Sequence, residues 1–267
     1  MRILLAFVIA AAAPAAAVAD DWIGQRVITK RNGVKFGHTG ENGEQVYVGE
    51  LKEPVVTVLE DKGEWLRVQS KGKAGWFPKA DAVSVKDAAG YFTDLIRDDP
   101  AQAAHHFRRA LVWDERKEYD NAVKDYTEAI RLKPEYASSF NNRGNVWLAK
   151  KEYSKAVEDR TESIRLNPKN ANAFNNRGFV WATKKEYSKA VEDYTEAIRL
   201  DPMHDNAFNN RGNAWRAKKE YDKAVEDYTE AIRLDPKDAD AVNNRAWLRA
   251  TCPDEKCRDG AKAVEDS

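Results

Sequence analysis

The sequence is poor in the residues that carry most enzyme chemistry. Its four histidines, His38, His105, His106 and His204, are scattered, and it contains no Gly-x-Ser-x-Gly, His-Glu-x-x-His, phosphate loop or dinucleotide fingerprint. No catalytic residue and no cofactor is therefore assigned. Two cysteines, Cys252 and Cys257, have no histidine following within reach, whereas a structural zinc takes four ligands, so no metal site is assigned either. Net charge is absent too: 44 basic residues balance 44 acidic ones, which describes a solvated surface without a global field and gives no reason to expect nucleic acid. Beyond residue 19 no apolar run is long enough to span a bilayer. Disorder is excluded by what remains, since 10% of the residues are aromatic and eight are Trp.

Residues 1–19 carry one charge, Arg2, followed by an unbroken apolar run with small residues at Ala17 and Ala19 ahead of Asp20 and Asp21. The pattern predicts a cleaved secretory signal with an Ala-x-Ala site, and so a periplasmic or extracellular protein. The alternative is an uncleaved anchor, for which the run is short and Ala-rich. Cleavage removes Arg2, leaving 44 − 1 = 43 basic residues against 44 acidic, and leaves no membrane span. After export, Cys252 and Cys257 are expected to form a local disulfide worth about 2 kcal/mol on the chain-entropy argument, with free thiols as the alternative.

The chain is organised around residues 103–238. One segment of 34 residues is written four times, at 103–136, 137–170, 171–204 and 205–238, and 239–250 begins a fifth copy. Phe140 to Pro168 and Phe174 to Pro202 agree at 23 of 29 positions. A fixed period of this size means stacked supersecondary units. In each, apolar and small residues recur at helical spacing in two blocks, as in Phe174, Gly178 and Trp181 and then Ala190, Tyr194 and Ala197, which predicts a helical hairpin per repeat. Pro134, Pro168, Pro202 and Pro236 close the second helices. This series of apolar, small, aromatic, Ala, aromatic, Ala and Pro resembles the tetratricopeptide repeat family over about 150 residues. The resemblance implies a mainly α, right-handed solenoid whose first helices line a concave groove that holds a peptide or a partner protein.

Two polar patterns run through the repeats. Asn141 and Asn142, Asn175 and Asn176, Asn209 and Asn210, and Asn243 and Asn244 form a ladder, joined one helical turn later by Asn145 and Asn213. In related repeats that face lines the groove, where side-chain amides bond a ligand's backbone with both donor and acceptor; the alternative is that they tie one repeat's helix to the next. Lysines that would grip a carboxyl terminus are missing. Arg109, Arg143, Arg177, Arg211 and Arg245 stand where the family usually has a buried Leu. A charge facing a helix interface must be paired, so Asp125, Asp159, Asp193 and Asp227 of the second helices are the expected partners. Repeat two also carries Arg160 for the buried Tyr and Ser163 for Ala, and is expected to be the weakest-packed.

Residues 20–84 alternate instead, with short apolar runs separated by Asn-Gly, Lys-Gly and Lys-Gly-Lys turn signals, which predicts a small all-β barrel. Trp65, the Gly-rich hairpin from Lys71 to Gly75, and the run from Gly75 to Pro78 resemble a bacterial SH3-type domain over about 60 residues. Trp65 and Pro78 stand where the eukaryotic SH3 domains that bind polyproline helices have their Trp and Pro, but the Ala-Leu-Tyr-Asp-Tyr motif is absent and Asp81 stands where the late Tyr would be. Some bacterial SH3-type domains recognise peptidoglycan. A cell-wall binder with the repeats as spacer or recruiter is therefore the alternative to a non-catalytic scaffold. Residues 85–102 align with a second helix at an offset of 34, with Ala88 on Ala122, Phe92 on Tyr126 and Ile96 on Ile130, and read as a half repeat that docks the barrel on the array. The tail at 251–267 leaves the pattern, and its AKAVED predicts a short capping helix from about Asp259.

Overall fold

The computed structural model describes residues 25–30, 34–39, 45–50, 55–70, 73–254 and 257–265. The leader at 1–19 and the turn signals at Asn32–Gly33 and Lys71–Gly72 lie outside the described residues. The chain divides into two compact bodies, 1–91 and 92–267.

The first body is an antiparallel sheet of β1 (Arg26–Thr29), β2 (Lys35–Thr39), β3 (Gln45–Glu50), β4 (Val55–Lys62), β5 (Trp65–Ser70), β6 (Lys73–Pro78) and β7 (Ala82–Ser84), in the order β3-β2-β6-β5-β4-β1-β7. Period-two alternation builds its interior: β4 turns Val56 and Val58 inward and Leu59 outward, and the two valines join Val27, Leu66, Val68 and Phe77 in one core. β5 and β6 pair with Trp65 opposite Pro78. Among the described residues no ladder joins β3 to β7, so the sheet is open where the sequence predicts a barrel. The three residues of β7 pair with β1, and the other edge ends at β3. Ser84 then starts α1 (Val85–Asp98) without a linker. Its hydroxyl accepts from the Asp87 N–H at 3.2 Å, a side-chain cap at the helix start, and donates to the Asp87 carboxylate at 2.6 Å.

In the second body the first helices of the repeats are α2 (Ala103–Glu115), α4 (Ala137–Ala149), α6 (Ala171–Thr183), α8 (Asp205–Ala217) and α10 (Ala239–Thr251). The second helices are α3 (Tyr119–Leu132), α5 (Tyr153–Leu166), α7 (Tyr187–Leu200) and α9 (Tyr221–Leu234), and α11 (Gly260–Glu265) follows in the tail. Each second helix stops where proline dictates. The preceding residues Lys133, Asn167, Asp201 and Asp235 leave the helical region, with φ of −140, −139, −138 and −130°.

The hairpin turns follow a different rule. Lys117, Lys151, Lys185 and Lys219 sit at φ of 60, 62, 62 and 65°, the left-handed conformation that glycine adopts at a helix C-terminus. At Lys151 the pattern is a Schellman motif: its N–H bonds Leu148 O at 2.9 Å, and the Glu152 N–H bonds Trp147 O at 2.8 Å. The hydrogen bonds need only the backbone, so the lysine brings Cβ strain without a compensating contact at these exposed sites. Lys185→Gly is expected to stabilise the protein by about 1 kcal/mol, a rise of about 2–4 °C in melting temperature; a fall would show that Lys185 has a packing role.

Glycine sets the approach of the two helices. A Cβ on Gly178 or Gly212 would stand 2.8 or 2.7 Å from Cε1 of Tyr194 or Tyr228, so the buried tyrosine closes on a site that has room only for hydrogen. The arginine row then completes each hairpin. Arg177 donates from Nε and Nη2 to the two carboxylate oxygens of Asp193 at 2.9 and 2.7 Å. Arg109, Arg143 and Arg211 do the same to Asp125, Asp159 and Asp227. The expected pairs form, and the four aspartates are 3–5% exposed. A further tie was not foreseen. Each arginine's Nη1 reaches back to a threonine of the preceding second helix, as from Arg143 to Thr127, Arg177 to Thr161, Arg211 to Thr195 and Arg245 to Thr229. Arg109 makes the same bond at 3.0 Å to Thr93 of α1, 34 residues ahead of Thr127. At the far end Cys252 and Cys257 are joined as a disulfide and are buried against Ala224, Tyr228 and Leu248.

Candidate partner-binding face

The first helices α4, α6 and α8 turn Gly144, Gly178 and Gly212 toward the partner helix, with Ala110 and Ala246 in the same register of α2 and α10, which leaves the neighbouring register positions for another surface. At a spacing of 34 these positions read Leu111, Asn145, Phe179, Asn213 and Trp247, an alternation of apolar and amide side chains from one repeat to the next. Leu111 is buried, but Phe179 is 48% and Trp247 55% exposed, which makes them the large apolar side chains that the first helices leave open to water. They recur every 68 residues, two repeats apart, and so escape a search for positions that every repeat shares.

The asparagine ladder divides into several uses. Asn210 Nδ2 donates to Asn175 Oδ1 at 3.1 Å and Asn244 Nδ2 to Asn209 Oδ1 at 3.0 Å, so these four tie successive first helices together. Asn213 Oδ1 accepts from the Tyr228 hydroxyl at 3.0 Å. Asn141 and Asn145 accept from Arg160, and Asn145 also donates to Asn142 at 3.5 Å. Asn176 is half-buried and Asn243 exposed. Asn145 thus spends both its oxygen and its amino group inside the protein, and Asn209 is buried.

The two ends of this face differ in charge. At the repeat-one end stand Asp114 and Glu115; burial, helped by the Glu115 charge, pushes the Asp114 carboxyl up to about 6. Below them the Tyr126 hydroxyl is fully buried without a partner, and burial raises it well above the ordinary tyrosine range. At the other end the Arg216 guanidinium stacks over the Trp247 ring at 5.2 Å, beside a cavity of about 540 Å³ lined also by Tyr221, Leu248, Thr251 and Pro253. Because the folded-state value of Asp114 lies above the unfolded value near 4, its contribution to stability is present at low pH and is lost as pH rises toward 6. Asp114→Asn is therefore expected to gain on the wild type in melting temperature between about pH 4 and 6, with a constant difference above. A difference independent of pH would contradict the assignment.

Among the described residues no group of three His, Cys, Asp or Glu could hold a metal ion, and no helix is long and apolar enough to cross a membrane. The helical hairpins, with Gly under Tyr and Pro after the second helix, define a stacked-hairpin solenoid. Comparison with known families makes this specific: the tetratricopeptide repeat profile matches residues 171–204 and 206–238, and a related TPR repeat profile matches 115–151. The chain carries tetratricopeptide repeats. No curated protein sequence matches it. Among solved structures, YrrB, described as a TPR protein with an unusual peptide-binding site, is similar at 21% identity and a TM-score of 0.56, covering 67% of this chain and 91% of its own. A crystal structure of MamA is similar at 21% identity and a TM-score of 0.55, covering 58% and 91%. MamA from Desulfovibrio magneticus RS-1 follows at 19% and 0.54, covering 58% and 88%. At these identities the likeness establishes the fold of the array.

Proposed function

We propose that the chain is an exported, non-catalytic scaffold that holds an extended segment of a partner protein along the concave face of its repeats. The observation that carries this reading is the alternating row of Leu111, Asn145, Phe179, Asn213 and Trp247, with Phe179 and Trp247 held open to water on rigid helices. An extended peptide crossing the first helices would set apolar side chains against Phe179 and Trp247, while amides of the ladder bond its backbone, the combination that gives affinity through burial and register through hydrogen bonds. The peptide-binding site attributed to YrrB supports the same use of the fold. Export rests on the 1–19 leader and is supported by the disulfide, a bond that persists in oxidising compartments. The first body is read as an SH3-like domain, supported by its short antiparallel strands and the pairing of Trp65 with Pro78; the cell-wall alternative has no observation in its favour.

The test is selection of random linear peptides displayed on phage against the full chain, followed by titration against Phe179→Ala/Trp247→Ala. Both side chains are half in water, so the variant should melt as the wild type does while binding falls by at least tenfold, about 1.4 kcal/mol. Undiminished binding by the variant, or no enriched peptide, would contradict the reading.

A further inference from the structure

One buried charge in the array has no packing reason to exist. In α5, Arg160 occupies the register of Tyr126, Tyr194 and Tyr228 and is 2% exposed. Its stem takes over the tyrosine's packing task, lying with Cγ 3.3 Å from where a Cβ of Gly144 would stand. Its head is another matter. Nη1 donates to Asn141 Oδ1 at 3.1 Å and Nη2 to Asn145 Oδ1 at 2.7 Å, both neutral amides, and Nε is buried without a partner. The adjacent Asp159 is taken by Arg143 through both of its oxygens, and among the described residues Arg160 makes no ion pair. Burial lowers its pKa to about 10, which leaves the group charged at neutral pH. A buried cation held only by neutral oxygens is costly, and replacing it by a well-packed neutral side chain is often stabilising.

The unfilled part of this guanidinium has a definite shape. Eight other arginines of the array present the Nε and Nη2 edge to a carboxylate, four to the buried aspartates and four to a glutamate three residues earlier on the same helix, both N–H groups donating side by side. In Arg160 the same edge offers a free Nε and an Nη2 that is covered by Asn145 alone. Asn145, whose Oδ1 covers Nη2, is exposed and shares the register of Phe179 and Trp247, so the side chain over this edge belongs to the face proposed to bind a partner.

We propose that Arg160 is the receptor for an acidic side chain of the bound partner, an Asp or Glu carboxylate that displaces the Asn145 oxygen and takes the Nε and Nη2 donors. The proposal deepens the peptide-binding reading and rests on it for the source of the carboxylate. Repeat two then sets the position of one acidic residue relative to the apolar residues that meet Phe179 and Trp247. Its cost in stability is what the other repeats avoid by using tyrosine.

Two experiments on the full chain test it. In the first, sodium acetate is titrated while the Nε–Hε resonance of Arg160 is followed by ¹⁵N NMR, with acetamide as the neutral control. A saturable shift with acetate and none with acetamide is expected; no shift with either overturns the proposal, whether or not the groove binds peptides. In the second, peptides are selected in parallel on the wild type and on Arg160→Tyr, for which the pair of Tyr228 and Asn213 in repeat four is the structural precedent. Arg160→Tyr should melt higher than the wild type, and only the wild-type set should be enriched in Asp or Glu at one position, with a Gln replacement there about tenfold weaker. Equal acidic enrichment on both proteins overturns the proposal. Peptides that bind with no acidic preference also overturn it, but leave the groove reading standing.

Discussion

Arg177→Leu is expected to lower stability by about 3–5 kcal/mol, because it leaves a carboxylate buried without its counter-charge. Asp193 is 5% exposed and receives two guanidinium N–H bonds at 2.9 and 2.7 Å. Losing the arginine also frees Thr161 of the preceding repeat, but Thr161 is exposed and water replaces that bond at little cost. Adding Asp193→Asn should restore a good part of the loss, since a neutral amide is far less costly to bury alone than a charge. A double-mutant cycle from chemical denaturation measures the coupling, and strictly additive effects would rule out this pairing as the source.

Phe92→Ala carries the second large effect. We propose that α1 acts as the second helix of a half repeat at the head of the array: Phe92 stands 34 residues before Tyr126, and Thr93 takes the Arg109 bond that Thr127 takes from Arg143. Phe92 is wholly buried, so its truncation is expected to cost about 3–5 kcal/mol through lost burial and the cavity left behind. Stacked repeats bury their core only against neighbours. The loss should therefore appear in hydrogen exchange as faster opening of α2 and α3 before the later repeats. A cost below about 1 kcal/mol would place Phe92 outside any packed core.

The array was legible because one rule is repeated. A proline after each second helix fixes its end, and a glycine opposite an aromatic fixes the helix approach, so repeats three and four could be drawn from residues such as Gly178, Tyr194 and Pro202. The Arg and Asp pairs were legible for a different reason: a charge at a helix interface has few solutions, and the second helix offered one acid at the right height. The threonine partners were not, since exposed Thr161 and Thr195 satisfy no need that burial creates. Identical asparagines drew attention to the ladder, but sequence could not apportion them among helix ties, Tyr228 and Arg160. Phe179 and Trp247 were hidden because their row varies from repeat to repeat. For the sheet, alternation showed which residues of β4 and β5 face inward, whereas closure depends on curvature and on what pairs with the edges, neither of which is written in a period of two.

The claim that partners are held on the first-helix face is tested most directly by where a bound peptide touches the protein. A photo-reactive phenylalanine analogue is placed at Phe179, and separately at Glu192, an exposed position on second helix α7. Each protein is then irradiated with a peptide selected on the wild type. Cross-linking at position 179, competed by unlabelled peptide and absent at position 192, is the expected result. Cross-linking at 192 with none at 179 would contradict it.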